Sequence, residues 1–231
     1  MAKYSGITSK QLLPIVHVLA ILVLVILIVW NYYFRGGFGL SGNAVFNLHP
    51  VFMFAAFGYL SGQAILVYKT VDGDKTYQKA VHLTLNGVAV LVALVGVAAA
   101  YKFHLDNKFD NFYSLHSWFG ITTIIFYLVQ WIVGFVSFWT QSISSAQRAE
   151  ALPWHVFFGF TTFVLALVTI QLGLLEKLTF LQKGSPPLGL WSREALLVNS
   201  LGIIVFIYGA IVVLSALIPH PTAQEGYRSL E

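Results

Sequence analysis

The stretch YSLHSWFGITTIIFYLVQWIVGFVSFW, residues 113–139, decides the fold. It holds no Asp, Glu, Lys or Arg. It exceeds the roughly 20 apolar residues that a helix needs to cross about 30 Å of hydrocarbon. It therefore reads as a membrane-spanning helix. Its one imidazole, His116, stands just inside the start, and Ser114 occupies the place of an N-cap.

Five further runs of the same kind flank it: Leu12–Trp30, Leu48–Tyr68, Ala80–Tyr101, Pro153–Leu175 and Ala195–Ile218. All thirteen basic and nine acidic residues fall outside the six spans or at their edges, as the cost of charge in hydrocarbon requires. Trp30, Tyr32, Tyr33, Tyr68, Tyr101, Trp139, Trp154 and Trp191 gather at the span ends, where aromatic anchors belong. The composition agrees. Hydrophobic residues make up 58% of the chain and charged residues 10%, against roughly 25% charged in a soluble domain. The fold class expected is an all-α membrane protein of six transmembrane helices. The loops are too short to form domains. The longest, Glu176–Glu194, carries Pro186, Pro187 and Gly189 as turn residues, so residues 1–231 read as one transmembrane domain with a core at about 12–218 and short tails. The first run is too long for a signal-peptide core and is read as a retained anchor.

The absence of cysteine excludes disulfides, thiolate metal sites and cysteine nucleophiles. The net charge of +4 is scattered, with no Lys/Arg cluster to suggest nucleic acid. Six crossings place both termini on one side. That side holds Lys3, Lys10, Lys69, Lys75, Lys79, Arg148 and Arg228. The other holds Arg35, Lys102, Lys108, Lys177, Lys183 and Arg193. The difference is one residue, and it favours cytoplasmic termini.

Four of the seven histidines open four consecutive spans: His49, His82, His116 and His155. Pro50 and Pro153 beside two of them suit a first helical turn. Because successive helices reverse direction, His49 and His116 fall near one face and His82 and His155 near the other. At 1.5 Å per residue the two layers are expected roughly 20–25 Å apart. A lone histidine at a helix end is more often an interfacial hydrogen-bonder. Four on consecutive helices in two layers fit two haems instead, each iron taking an imidazole from either side. His17 has no counterpart on the sixth span and is read as structural, while His104 and His220 lie outside the spans.

Spans four and five share a further pattern, His-x3-Gly-x13-Gly: His116, Gly120 and Gly134, then His155, Gly159 and Gly173. The second glycine follows the histidine by five helical turns, so it shares its face about 27 Å further along the axis. These four glycines are expected to make room for a flat macrocycle. Ordinary close packing of helices is the alternative.

At these residues the chain resembles the cytochrome b561 family, specifically its plant-type members. The carriers are Asn47-Leu48-His49-Pro50, Ala64-Ile65-Leu66-Val67-Tyr68-Lys69, Lys79-Ala80-Val81-His82, Ser114-Leu115-His116-Ser117-Trp118 and Pro153-Trp154-His155. The resemblance implies a four-helix core, spans two to five, around two haem b groups. His82 would pair with His155 on the cytoplasmic side, and His49 with His116 on the other. It implies electron transfer from cytoplasmic ascorbate to monodehydroascorbate or a ferric chelate, and hence an oxidoreductase. It also implies a multi-pass protein of the vacuolar or another endomembrane, with the plasma membrane an alternative, and it allows a homodimer.

For the anionic donor, Lys75, Lys79 and Arg148 lie in the loops beside His82 and His155, with Lys69 a further candidate. Many animal members carry arginine at position 69, and lysine lacks its planar two-pronged donor. On the opposite side the resemblance implies an acceptor site at Phe103, His104 and Tyr113. A different class of function is a proton or metal-ion transporter using the histidines as a relay.

Overall fold

The computed structural model describes residues 7–218; Lys3, His220 and Arg228 lie outside them. Six helices are long and apolar enough to cross a membrane: α1 (Ser9–Phe34), α2 (Asn43–Thr70), α3 (Lys75–Asn107), α4 (Leu115–Trp139), α5 (Ser145–Gln182) and α6 (Arg193–Leu217). No strand occurs among the described residues. Five of the six begin on a side-chain cap. Thr8, Asp74, Ser114, Ser144 and Ser192 each accept a hydrogen bond from a backbone N–H in the first turn.

The helices outrun the apolar runs, most of all α3 and α5. Hydrophobicity marks where hydrocarbon begins, whereas a helix continues into water until a cap or a breaker stops it. Three expectations change in consequence. Glu176 to Gln182 continue α5 instead of forming a loop. Lys75, Lys79 and Arg148 ride on the first turns of α3 and α5. Pro153 lies well inside α5 and not in its first turn, so the carbonyl of Ala149 loses its usual partner. Helix α2 contains a π-helical turn at Phe54–Leu60, where the buried Tyr208 hydroxyl donates to the Gly58 carbonyl at 2.9 Å.

The helices associate as three close pairs: α1 with α6, α2 with α3, and α4 with α5, while α3 and α4 touch little. The α1–α6 seam is legible as a three–four spacing of buried side chains. Val16, Ala20, Val23, Leu27 and Trp30 face Val198, Leu201, Val205, Tyr208 and Val212. That spacing gives the shallow crossing of coiled coils, held in lipid by close packing. Ile21, Val25, Leu91, Leu94, Ile125, Val129 and Phe206 point outward, as lipid-facing side chains do.

Polar ties define the two faces. On the terminal face, Lys10 pairs with Asp72 at 2.5 Å and Ser9 Oγ donates to the Ser215 carbonyl at 2.6 Å. Lys69 Nζ donates to the carbonyls of Ala216 and Ile218 at the end of α6. On the opposite face, Glu194 is buried and accepts from Arg35 Nη2 at 2.6 Å and Trp30 Nε1 at 2.7 Å. Glu194→Ala strands both donors and is expected to cost about 3 kcal/mol, the low end for a broken buried pair because Arg35 is partly exposed. Glu194→Gln keeps an acceptor and is expected to cost less. Reversible unfolding in mixed micelles measures both.

Candidate functional site

Helices α2 and α4 start at the face opposite the termini, α3 and α5 at the terminal face. The structure brings His49 to His116, with ring centres 6.0 Å apart, and His82 to His155, 6.2 Å apart. Each pair joins the α2–α3 unit to the α4–α5 unit. Two metal–imidazole bonds of about 2.0–2.1 Å in line, plus ~1.1 Å from each nitrogen to its ring centre, give about 6.3 Å. Both pairs therefore suit a single iron between two imidazoles, as a bis-histidine haem requires.

The hydrogen bonds of the rings agree with that use. His49 Nδ1 lies 3.0 Å from the Gly96 carbonyl, His82 Nδ1 2.8 Å from Ala64 and His116 Nδ1 3.0 Å from Thr169. A carbonyl accepts only, so each Nδ1 carries the hydrogen and each Nε2 keeps its lone pair for a metal. The fourth ring differs. Its Nδ1 lies 3.1 Å from Gln130 Nε2, which also donates to the carbonyl of His155 itself. With that donor, Nδ1 accepts and Nε2 carries the hydrogen; Nε2 would be free for a metal only with the Gln130 amide turned to present Oε1 to Nδ1, which gives up its bond to the His155 carbonyl.

The matched glycines hold the rings. A Cβ at Gly173 would lie 2.8 Å from His116 Cε1, and one at Gly134 would lie 3.0 Å from His155 Cε1. The nearest side chain to each of these two glycines is the neighbouring imidazole. At Gly120 and Gly159 a Cβ would meet only Thr169 Cγ2 at 3.6 Å and Gln130 Nε2 at 3.4 Å, which are near-ordinary contacts. Thr169 precedes Gly173 by one turn, and Gln130 precedes Gly134 likewise. Helices α4 and α5 thus offer each other the same seat: one residue meets Nδ1, and the glycine four later admits the ring. Gln130 was missed by sequence reasoning, although a lone amide one turn before a singled-out glycine in an apolar span was a signal. The anchoring carbonyls gave none.

The Ser114–Trp118 run sets the depth of His116. Ser114 and Ser117 form a reciprocal capping box, and Trp118 Nε1 donates to the Phe112 carbonyl at 2.9 Å. Near the other pair, Lys79 precedes His82 by about one turn and Arg148 precedes His155 by about two, both on the side of their histidine. Arg148 Nη1 also donates to the Ile143 carbonyl at 2.6 Å. Lys75 is exposed at the first residue of α3. Lys69 Nζ meets the end of α6 through the carbonyls of Ala216 and Ile218.

On the far face, Phe103 packs on Phe46 at 5.0 Å, and Phe46 lies 5.7 Å from the His49 ring. His104 is tied by Nδ1 to the Asp110 carbonyl at 3.1 Å and meets Phe109 edge-on. Tyr113 is exposed, and its phenol is pushed above its ordinary range by partial burial, then by the carboxylates of Glu176 and Asp110. His17 bonds Tyr59 Oη at 3.1 Å, in keeping with a structural role.

Comparison with known proteins places this geometry. Residues 48–181, which include all four paired histidines, match the family described as eukaryotic cytochrome b561. Transmembrane ascorbate ferrireductase 2 of Arabidopsis thaliana is 42% identical over 208 residues, covering 89% of this chain and 90% of that one. A probable ascorbate-specific transmembrane electron transporter 2 of Oryza sativa is 43% identical, covering 98% of each chain. A plasma membrane ascorbate-dependent reductase of Rattus norvegicus is 35% identical over 83% of this chain and 68% of its own length. With six membrane-spanning helices and a match across the histidine-bearing core, this chain belongs to the cytochrome b561 family of haem b proteins.

Proposed function

We propose that this protein is an oxidoreductase that passes single electrons across a membrane, from ascorbate to monodehydroascorbate or a ferric chelate. Two haem b groups would carry them, one held by His82 and His155 and the other by His49 and His116. The observation that carries this reading is the pair of ring separations, 6.0 and 6.2 Å, at two opposite faces. Bound haem supplies one-electron chemistry that the side chains lack. The chain orients four imidazoles and, through the carbonyls of Gly96, Ala64 and Thr169, fixes the tautomers of three of them. The terminal face, with Lys79 and Arg148 beside its histidine pair, takes the donor and is the cytoplasmic one.

Between the histidine pairs the packing combines Ala56, Phe57, Ala89, Ala93 and Ala166 with buried polar groups: the Tyr127 hydroxyl donates to Asn86 Oδ1 at 2.6 Å, and the Thr123 and Thr169 hydroxyls lie 3.1 Å apart. What favours the redox reading over a histidine relay is the separation within each histidine pair, which suits one iron between two imidazoles.

The expected haem-to-protein ratio is near two, with six-coordinate low-spin b-type spectra. A pyridine haemochrome assay on folded protein measures it, and a ratio of one overturns the two-site scheme. A further expectation concerns the donor. Ascorbate is a monoanion at neutral pH, and partly exposed charge pairs contribute about 0.2–1 kcal/mol each. Lys79→Ala with Arg148→Ala is therefore expected to slow ascorbate reduction several-fold, while dithionite still reduces both haems fully. Salt should slow the wild type more than the double variant, because screening acts only on an attraction that is present. Stopped-flow reduction at two ionic strengths decides this. Unchanged kinetics would shift the donor contact toward Lys75 and Lys69.

A further inference from the structure

Between the end of α1 and the start of α2, on the face opposite the termini, lies a cavity of about 320 Å³ bordered by Arg35, Asn43, Asn47, Phe103 and Lys177. That volume is within the range of small-molecule sites. Its charges do not balance. Both oxygens of Glu194 are hydrogen-bonded, one by Trp30 and the other by Arg35 Nη2, so its single negative charge stands against two cations, Arg35 and Lys177. Arg35 Nε is buried without a hydrogen-bond partner. Among the described residues the Lys177 ammonium meets the face of Phe46, 4.4 Å from the ring centre, and no carboxylate. A partly desolvated ammonium gains only part of its lost hydration from a ring face. Two cations, Lys177 and Arg35, therefore border the same cavity with one carboxylate, Glu194, between them. Asn47 holds its wall by donating to the carbonyls of Arg35 and Gly37, at 2.9 and 2.6 Å.

We infer that this cavity is a binding site for a carboxylate-type oxyanion, held chiefly by Lys177 and the partly exposed Arg35 guanidinium. Phe46 connects it to the histidine layer: Lys177 lies on one of its contacts and the His49 ring, 5.7 Å away, on another. An anion seated there is next to the redox pair. Two sources present that chemistry: a small acceptor such as a ferric carboxylate chelate, or a propionate of the haem between His49 and His116. The inference rests on the haem reading above but asks which anion the outer face recognises. It adds Arg35 and Lys177 to the expected set of Phe103, His104 and Tyr113.

The test uses haem-loaded protein in vesicles preloaded with ascorbate, with Lys177→Met and Lys177→Arg beside the wild type. External ferric–EDTA, an anion, is compared with hexaammineruthenium(III), a cation. If the occupant is the acceptor, Lys177→Met raises KM for ferric–EDTA about five- to tenfold. Lys177→Arg restores it, the cation is reduced as before, and haem content and both midpoint potentials hold. If the occupant is a propionate, Lys177→Met lowers haem retention or the potential at the His49–His116 site. Wild-type apoprotein rebuilt with haem dimethyl ester then shows the same defect. Citrate-dependent thermal stabilisation, lost in Lys177→Met, reads the cavity without reference to haem. The inference is overturned if ferric–EDTA and ruthenium respond alike and haem content, potentials and citrate stabilisation are all unchanged. Wild-type protein without haem, yet stabilised by citrate through Lys177, would refute the proposed function and leave the anion site standing.

Discussion

Replacing His155 with alanine is expected to lower the haem content from two per chain to about one and to abolish ascorbate reduction at the terminal face. His82→Ala should give the same spectrum, because the two rings face each other across 6.2 Å and a bis-imidazole iron loses its low-spin state with either ligand. His49→Ala and His116→Ala should instead remove the other haem, their rings being paired at 6.0 Å. In those two variants ascorbate should still reduce the remaining haem, but transfer to an external acceptor should stop. Difference spectra and haemochrome assays on the four variants sort them into groups. A grouping of His49 with His82 would show that the helices do not alternate as described.

Gly173→Leu is expected to damage the haem at His116, and Gly134→Leu the one at His155, so each acts on the layer opposite its own helix's histidine. At Gly173 even a Cβ would lie 2.8 Å from the His116 ring, and at Gly134 3.0 Å from that of His155. Overpacking a core site costs about 1–3 kcal/mol, and here the ring cannot yield without losing its bond to Thr169 or Gln130. Loss of more than half of the affected haem, or its conversion to a high-spin form, is the expected reading. Gly120→Ala and Gly159→Ala meet neighbours only at 3.6 and 3.4 Å and should keep near-normal spectra. If both leucine variants keep both haems low-spin, the glycines serve helix contact alone.

The glycine pattern shows how far spacing alone could be read. Eighteen residues on one helix fix the face and depth of Gly134 relative to His116, because helical rise and turn are local. They do not say what stands opposite. That depended on α5 lying against α4, which brings in the ring of His155. Lys69 and Arg148 show a similar limit. Their charge named them as donor candidates, and the structure adds that Lys69 donates to the last carbonyls of α6 while Arg148 sits in a helical turn with a bond to Ile143. Lys177, assigned to a loop by its charge, lies on α5 over Phe46. In each case charge marked the water boundary correctly and gave no information about the partner.

The sequence by itself determined the number of crossings, the alternation of their direction and the face to which each of the four histidines belongs. Hydrocarbon thickness sets the length of an apolar run, and a run of about 20 such residues satisfies its own backbone there as a helix, so these properties are written locally. The tertiary structure alone decided which helices pair. It thereby decided which carbonyl anchors each imidazole and which glycine admits it, and that Arg35, Glu194 and Lys177 meet at one cavity. The anchors of His116 and His49 lie 53 and 47 residues away in the chain. In a membrane, where lipid tails satisfy apolar surfaces as well as a neighbouring helix does, pairing is settled by close fit and by a few polar contacts. Those exist only once the helices have met.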